Sequence, residues 1–127
     1  MGSAPDGRRR APARVQVAGA GGVNIASTSL PKAYLIAEIE VVDATAYEAY
    51  KAAAAPIAAQ YGGKYIVRGG EIHLAEGAAP SGRVVVLEFA HLAAAQAFLK
   101  SEAYRSVAEI RHKAAKSRII IVEGIIP

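Results

Sequence analysis

The chain contains no cysteine and no tryptophan, and only two phenylalanines and one methionine among its 127 residues. Without cysteine there is no disulfide framework, no thiolate metal site and no cysteine nucleophile, and cysteine usage says nothing of the redox compartment. Long apolar runs are missing too: none approaches the roughly 18–20 residues that a membrane-spanning helix needs. A secretion signal lacks its middle. Arg8, Arg9 and Arg10 would serve as the positive start, but Val15 to Gly22 holds too few large apolar residues, and no clear small-x-small cleavage site precedes Leu30. The default reading is therefore a cytoplasmic protein with a loose leader. The three histidines, His73, His91 and His112, lack the spacing that gathers metal ligands, so neither a protein-built metal site nor a cofactor is expected. No serine sits in a nucleophile-elbow context.

What is present suffices for one buried core. Hydrophobic residues make up 53% and charged residues 20%, which excludes disorder of the whole chain and fits a single domain. A net charge of +4 invites a nucleic-acid partner, but its position argues otherwise. Residues 1–32 carry Arg8, Arg9, Arg10, Arg14 and Lys32 against Asp6 alone, whereas residues 33–127 carry ten basic and ten acidic side chains. Residues 1–31, rich in Gly, Ala, Ser and Pro and without period, read as a flexible basic extension, and 32–127 as the folded domain. Neither nucleic acid nor membrane is an expected partner of that domain. Gly19-Ala20-Gly21-Gly22 superficially matches a dinucleotide fingerprint, yet Asn24 stands where the third glycine belongs and no helix pattern follows.

From Lys32 the pattern becomes regular. Lys32 to Val42 alternates as a strand, with Ala33, Leu35, Ala37, Ile39 and Val41 on one face. Thr45 and Glu48 have capping-box spacing, so a helix should open there. Tyr47, Tyr50, Ala54, Ile57 and Tyr61 form its apolar stripe, Pro56 predicts a kink, and Gly62-Gly63 supplies a left-handed stop. Lys64 to Val67 reads as a second strand, continued after a glycine bend at Arg68-Gly69-Gly70 by Ile72 and Leu74. Arg83 to Phe89 is a third strand, antiparallel to the second. Leu92 to Lys100 reads as a helix, restarted at Ser101 for the segment with Tyr104, Val107, Ala108, Arg111 and Ala115. Ile119 to Ile126 closes the chain as a strand.

The order β-α-β-β-α-β, with right-handed crossovers, gives an α+β, ferredoxin-like fold: a four-stranded antiparallel sheet with its helices on one face. The strands are nonetheless apolar on both faces; Val84 to Leu87 and Ile119 to Val122 have no polar alternates. The uncovered face therefore predicts a homodimer with two sheets packed together.

Tyr34, Asp43, Tyr47, Tyr50, Tyr61-Gly62-Gly63, Arg68-Gly69-Gly70, Glu76-Gly77, Glu88-Phe89, Ser101 to Tyr104, Arg111 and Glu123-Gly124 together resemble the bacterial family called domain of unknown function 1330, over about residues 32–126. That resemblance implies a dimeric α+β barrel. Its wider superfamily contains small monooxygenases and isomerases that use the cavity between helices and sheet. At His91 the family tends to place Ser or Asp, so the start of the second helix is less well capped here.

Five residues stand out as ligand-binding candidates: Arg68, Glu88, Arg111, His73 and Tyr47. Arg68, if directed into a pocket, is a fixed cation suited to a carboxylate or phosphate on a small organic ligand. Alternation from Lys64 and Ile66 leaves Arg68 able to pair with Glu88, either as a buried structural ion pair or with Glu88 as a proton carrier. His73 follows the glycine bend and is the other candidate proton carrier, against a solvated role. Arg111 would close the same pocket or cap a helix end, and Tyr47 belongs to a stripe that is either core or pocket wall. The functional readings are a small-ligand binding module, with no catalytic residue identified, or a cofactor-independent monooxygenase or isomerase for a small aromatic or polyketide-like substrate.

Overall fold

Strict alternation from Ala33 to Ile39 makes strand β1 (Ala33–Val41), whose odd-numbered residues Ala33 to Ile39 are buried against helices. It belongs to a computed structural model that describes residues 30–127, of which Pro31–Ile125 pack as one compact unit. The glycine cluster at 19–22 and the basic extension up to residue 29 lie outside the described residues. Among those described, no helix is long and apolar enough to cross a membrane.

Helix α1 (Ala44–Gln60) begins earlier than the Thr45–Glu48 spacing predicts. Its cap is Asp43, whose carboxylate accepts from the Ala46 N–H at 3.1 Å. A carboxylate at this point also answers the positive end of the helix dipole, which leaves Thr45 inside the first turn and Glu48 paired with Lys51 at 3.0 Å. The helix runs through Pro56 without interruption. Ala52, whose carbonyl loses its donor, and Pro56 are both exposed, so water reaches the gap. Gly62, at φ 78°, and Gly63 close α1 by donating to the carbonyls of Ala59 and Ala58. Gly63 has a second constraint, since a Cβ there would meet the Phe89 ring at 2.8 Å.

Strand β2 (Lys64–Arg68) ends at the first residue of the glycine bend rather than continuing to Ile72 and Leu74, which are exposed. Arg68 lies opposite Val85, and its neighbour β3 (Arg83–Phe89) begins only two residues before that, so a longer β2 would have no partner. The irregularity in pairing falls between Tyr65 and Val67, ahead of the glycines. Helix α2 (Leu92–Lys100) opens on His91, whose Nδ1 accepts from the Ala94 N–H at 3.1 Å. Ser101 ends α2 by donating to the Phe98 carbonyl and starts α3 (Glu102–Ala114) by accepting from the Tyr104 N–H.

Strand β4 (Ala115–Glu123) starts four residues sooner than the Ile119 reading and stops before Ile126. Ala115, placed on the helical stripe by its spacing, is instead the first strand residue, opposite Val41. The Ala114 carbonyl accepts from both Val42 and Asp43, which ties the end of α3 to the end of β1 and turns the chain directly into the sheet. The four strands lie in the order β2-β3-β1-β4, every pair antiparallel, with the three helices on one face: the ferredoxin-like α+β arrangement. Phe89 and Phe98, with ring centres 5.7 Å apart, and Tyr104, 4.4 Å from Phe98, fill the core between the layers. Such aromatic pairs contribute about 0.5–1.5 kcal/mol each beyond the area they bury.

Candidate functional site

The strand pairings decide which side chains meet the helices. Ala37, Val85 and Ile119 lie abreast on the helix-facing side, as do Leu35, Leu87 and Ile121. Arg83 is opposite Ile39 and shares that face. On β2 the irregularity at Ile66 resets the alternation: Tyr65 lies opposite Leu87 and Arg68 opposite Val85, so both face the helices. A cavity opens between this face and α1, its wall made of Leu35, Val85, Leu87 and the buried Tyr47, with the more exposed Arg68 and Arg83 at its rim. The free space enclosed is about 30 Å³.

Four tyrosines converge here: Tyr47, Tyr50, Tyr65 and Tyr104. The Tyr50 and Tyr104 hydroxyls share a hydrogen bond of 2.7 Å. Burial raises the pKa of Tyr47 and Tyr65 above the ordinary phenol value, although Arg83 pulls the first and Arg68 the second the other way. Burial pushes Tyr50 up further, assisted by Tyr104. All three are therefore neutral donors at physiological pH, and no carboxylate or imidazole among the described residues lines this cavity.

The guanidiniums are held by flat surfaces. Arg68 lies 4.2 Å from the centre of the Tyr65 ring and Arg83 5.4 Å from that of Tyr47. Arg83 also packs on Gly69, where a Cβ would come within 2.5 Å of the guanidinium; with φ at 75°, the position suits glycine on both counts.

Of the five candidates from the sequence, Arg68 and Tyr47 meet at this cavity. Arg111 is buried behind it, its guanidinium 5.8 Å from the Tyr50 ring centre and donating to the Ser117 hydroxyl. Burial works to lower its pKa, but the Tyr104 and Tyr50 phenols outweigh that and hold it raised. Arg111 also borders a wider crevice along α3, of about 250 Å³, shared with Glu109 and His112.

Glu88 and His73 do not reach the cavity. Glu88 lies opposite Tyr34 on the other face of the sheet, where it accepts from the Tyr34 hydroxyl at 3.2 Å and pairs with Lys32 at 3.5 Å. Simple alternation would have put Arg68 on that face; the extra residue at Ile66 turns it away, so no Arg68–Glu88 pair forms. His73 stands exposed in the segment after β2, 3.6 Å from Glu71. Arg83 is the residue that sequence reasoning missed. Its signal was present, because it shares parity with Val85, Leu87 and Phe89, the buried side of β3.

This fold has relatives. A family match covers residues 32–125, most of the chain. The chain belongs to the family described as domain of unknown function (DUF1330). Among solved structures, it is similar to a protein of unknown function from Rhodopseudomonas palustris at 22% identity and a TM-score of 0.61, over 76% of this chain and 85% of that one. It is also similar to SnoaB, a cofactor-independent oxygenase from Streptomyces nogalater, at 13% identity and a TM-score of 0.58, over 76% of this chain and 96% of that one. At these identities the likeness shows a shared fold. No curated protein of known function shows significant sequence similarity to the chain.

Proposed function

We propose that this DUF1330 protein is a homodimer of the α+β barrel type that binds a small organic ligand in the cavity between α1 and the sheet. The observation that carries the reading is the lining itself: an apolar wall from β1 and β3 meets phenols and guanidiniums at one cavity, the combination that orients a small molecule in a binding pocket. The dimer is supported by the outer sheet face, where Ile36, Val86 and Ile120 lie abreast and uncovered by any described element. A bacterial cytoplasm is its proposed setting, in line with the bacterial relatives.

A thermal-shift screen of small organic molecules against wild type and Arg68→Ala tests the pocket. A compound that stabilises the wild type by several degrees and the variant by little supports it. Compounds that stabilise both equally, or none that stabilise either, count against it.

A second reading is cofactor-independent oxygenation or isomerisation of a small aromatic or polyketide-like substrate. The fold shared with SnoaB supports it, as do the two guanidiniums, which lower the cost of an enolate or phenolate formed at the rim. With no carboxylate or imidazole among the described lining residues, such a substrate would enter already acidic or ionised. Oxygen uptake with enolisable aromatic ketones tests it, and its absence leaves the binding reading alone.

A further inference from the structure

Several cations near the sheet and α1 have carboxylate partners. On the outer sheet face Arg118 pairs with Glu38 at 2.9 Å and Lys32 with Glu88 at 3.5 Å; on α1, Lys51 pairs with Glu48. Arg68 and Arg83, both at the cavity rim, have no carboxylate partner among the described residues. The Nε of Arg83 is buried and without a hydrogen-bond partner. The Nε of Arg111 is also buried and unpartnered, but only that of Arg83 belongs to a residue lining the cavity, where the protein leaves a charged donor unanswered.

What holds these side chains leaves their hydrogen-bonding edges unused. Ring faces and the bare Gly69 backbone support their planes, while neither donates a hydrogen bond to another described side chain. A planar fork fixed this way is preorganised for a planar, two-oxygen acceptor.

We propose that the cavity rim is a carboxylate site, in which Arg68 and Arg83 clamp the head of a small amphiphilic monoanion whose apolar body lies on Leu35, Val85 and Leu87. This inference rests on the reading of the cavity as a ligand pocket and adds the charge class of its ligand. The apolar wall favours a carboxylate over phosphate, because a phosphate pressed against Leu35 and Leu87 leaves oxygens without donors. The enclosed space is about 30 Å³, against roughly 10–15 Å³ for one water. That suits an apolar body of two or three heavy atoms below a head held at the rim, with a larger body only partly enclosed.

The test is a set of NMR chemical-shift titrations of the full chain with propionate and benzoate, their neutral counterparts propionamide and benzamide, and inorganic phosphate. Each acid is expected to bind at least about tenfold more tightly than its amide, with shifts centred on β2, β3 and α1. Arg83→Gln and Arg68→Gln should each weaken the acids about tenfold or more, and Arg118→Gln, on the other face, should change nothing. Arg83→Lys keeps the charge and loses the fork, so it should fall between. Melting curves of each variant verify folding. Amides that bind the cavity as well as acids would overturn the charge class and leave the pocket standing. Tighter binding of phosphate, or equal loss in Arg118→Gln, would overturn the carboxylate clamp. If none of the acids or amides binds at the cavity, the clamp and the pocket fall together.

Discussion

Tyr50 shows how the cavity wall sets the protonation of its own residues. Its hydroxyl is half enclosed and shares a 2.7 Å hydrogen bond with Tyr104, and burial first, then Tyr104, raises its pKa above the ordinary 10.0. A folded-state pKa above the unfolded one gives stability that is complete below pH 10 and is lost as the pH climbs toward the folded value. Tyr50→Phe should therefore be about 1 kcal/mol less stable than wild type at pH 7, the worth of one hydrogen bond. Between pH 10 and 11 the deficit should shrink, because the variant has one phenol fewer to keep neutral. Urea denaturation at pH 7, 10 and 11 reads this directly, and a deficit independent of pH would contradict it. Tyr50 itself was legible as part of a stripe at helical spacing. Arg83 was legible only by parity along β3, and with valines on both faces of that strand the parity did not say which side was inside. Arg68 was set on the wrong face for a related reason: one residue inserted at Ile66 reverses every orientation beyond it, and nothing in Lys64 to Arg68 announces that insertion.

Element boundaries follow the strength of competing local signals. Ser101 was readable as both an end and a start because its hydroxyl is the one capping group at that break, and the structure uses it for both. At α1 two caps competed within three residues, and Asp43 prevailed over Thr45. The passage from α3 into β4 at Ala115 had no turn residue to mark it, since alanine suits helix and corner alike; the sheet pairing with Val41 decides it. His91 is the case where a weaker cap serves. Its ring nitrogen accepts from Ala94, but an imidazole offers one acceptor and no charge to the dipole of α2. His91→Asp should stabilise the protein by about 0.5–1 kcal/mol at pH 7, through a shorter side chain and a negative charge at the helix start. The midpoint of urea unfolding should rise with its slope unchanged. A midpoint equal to or below that of wild type would mean that His91 has another role at this position.

On the scale of the whole molecule, the two faces of the sheet have unlike surroundings. The helix-facing side is filled by Phe89, Phe98 and the strand residues between them, whereas the outer side presents Ile36 between Val86 and Ile120, with Val67 beyond Val86. Ile120, 41% exposed, and Val67, 40% exposed, extend this apolar strip onto both edge strands. Ion pairs of both polarities, Glu38 with Arg118 and Lys32 with Glu88, bound this strip at either end. A charge-balanced border around an apolar centre fits a second copy of the same surface, because a two-fold axis sets each patch against itself and a border of one sign would repel. Sedimentation equilibrium of the wild type at micromolar concentration should thus give twice the 13.2 kDa chain mass. Val86→Lys places a charge at the centre of the strip and should weaken self-association by about a hundredfold or more, from the cost of burying an unpaired ammonium. Val86→Ile, which keeps the strip apolar, should remain dimeric. Circular dichroism separates dissociation from unfolding, since the single-chain core has its own aromatic centre and Val86 points away from it. A wild type that sediments at the chain mass would remove the dimer, and the apolar strip would then need a different partner.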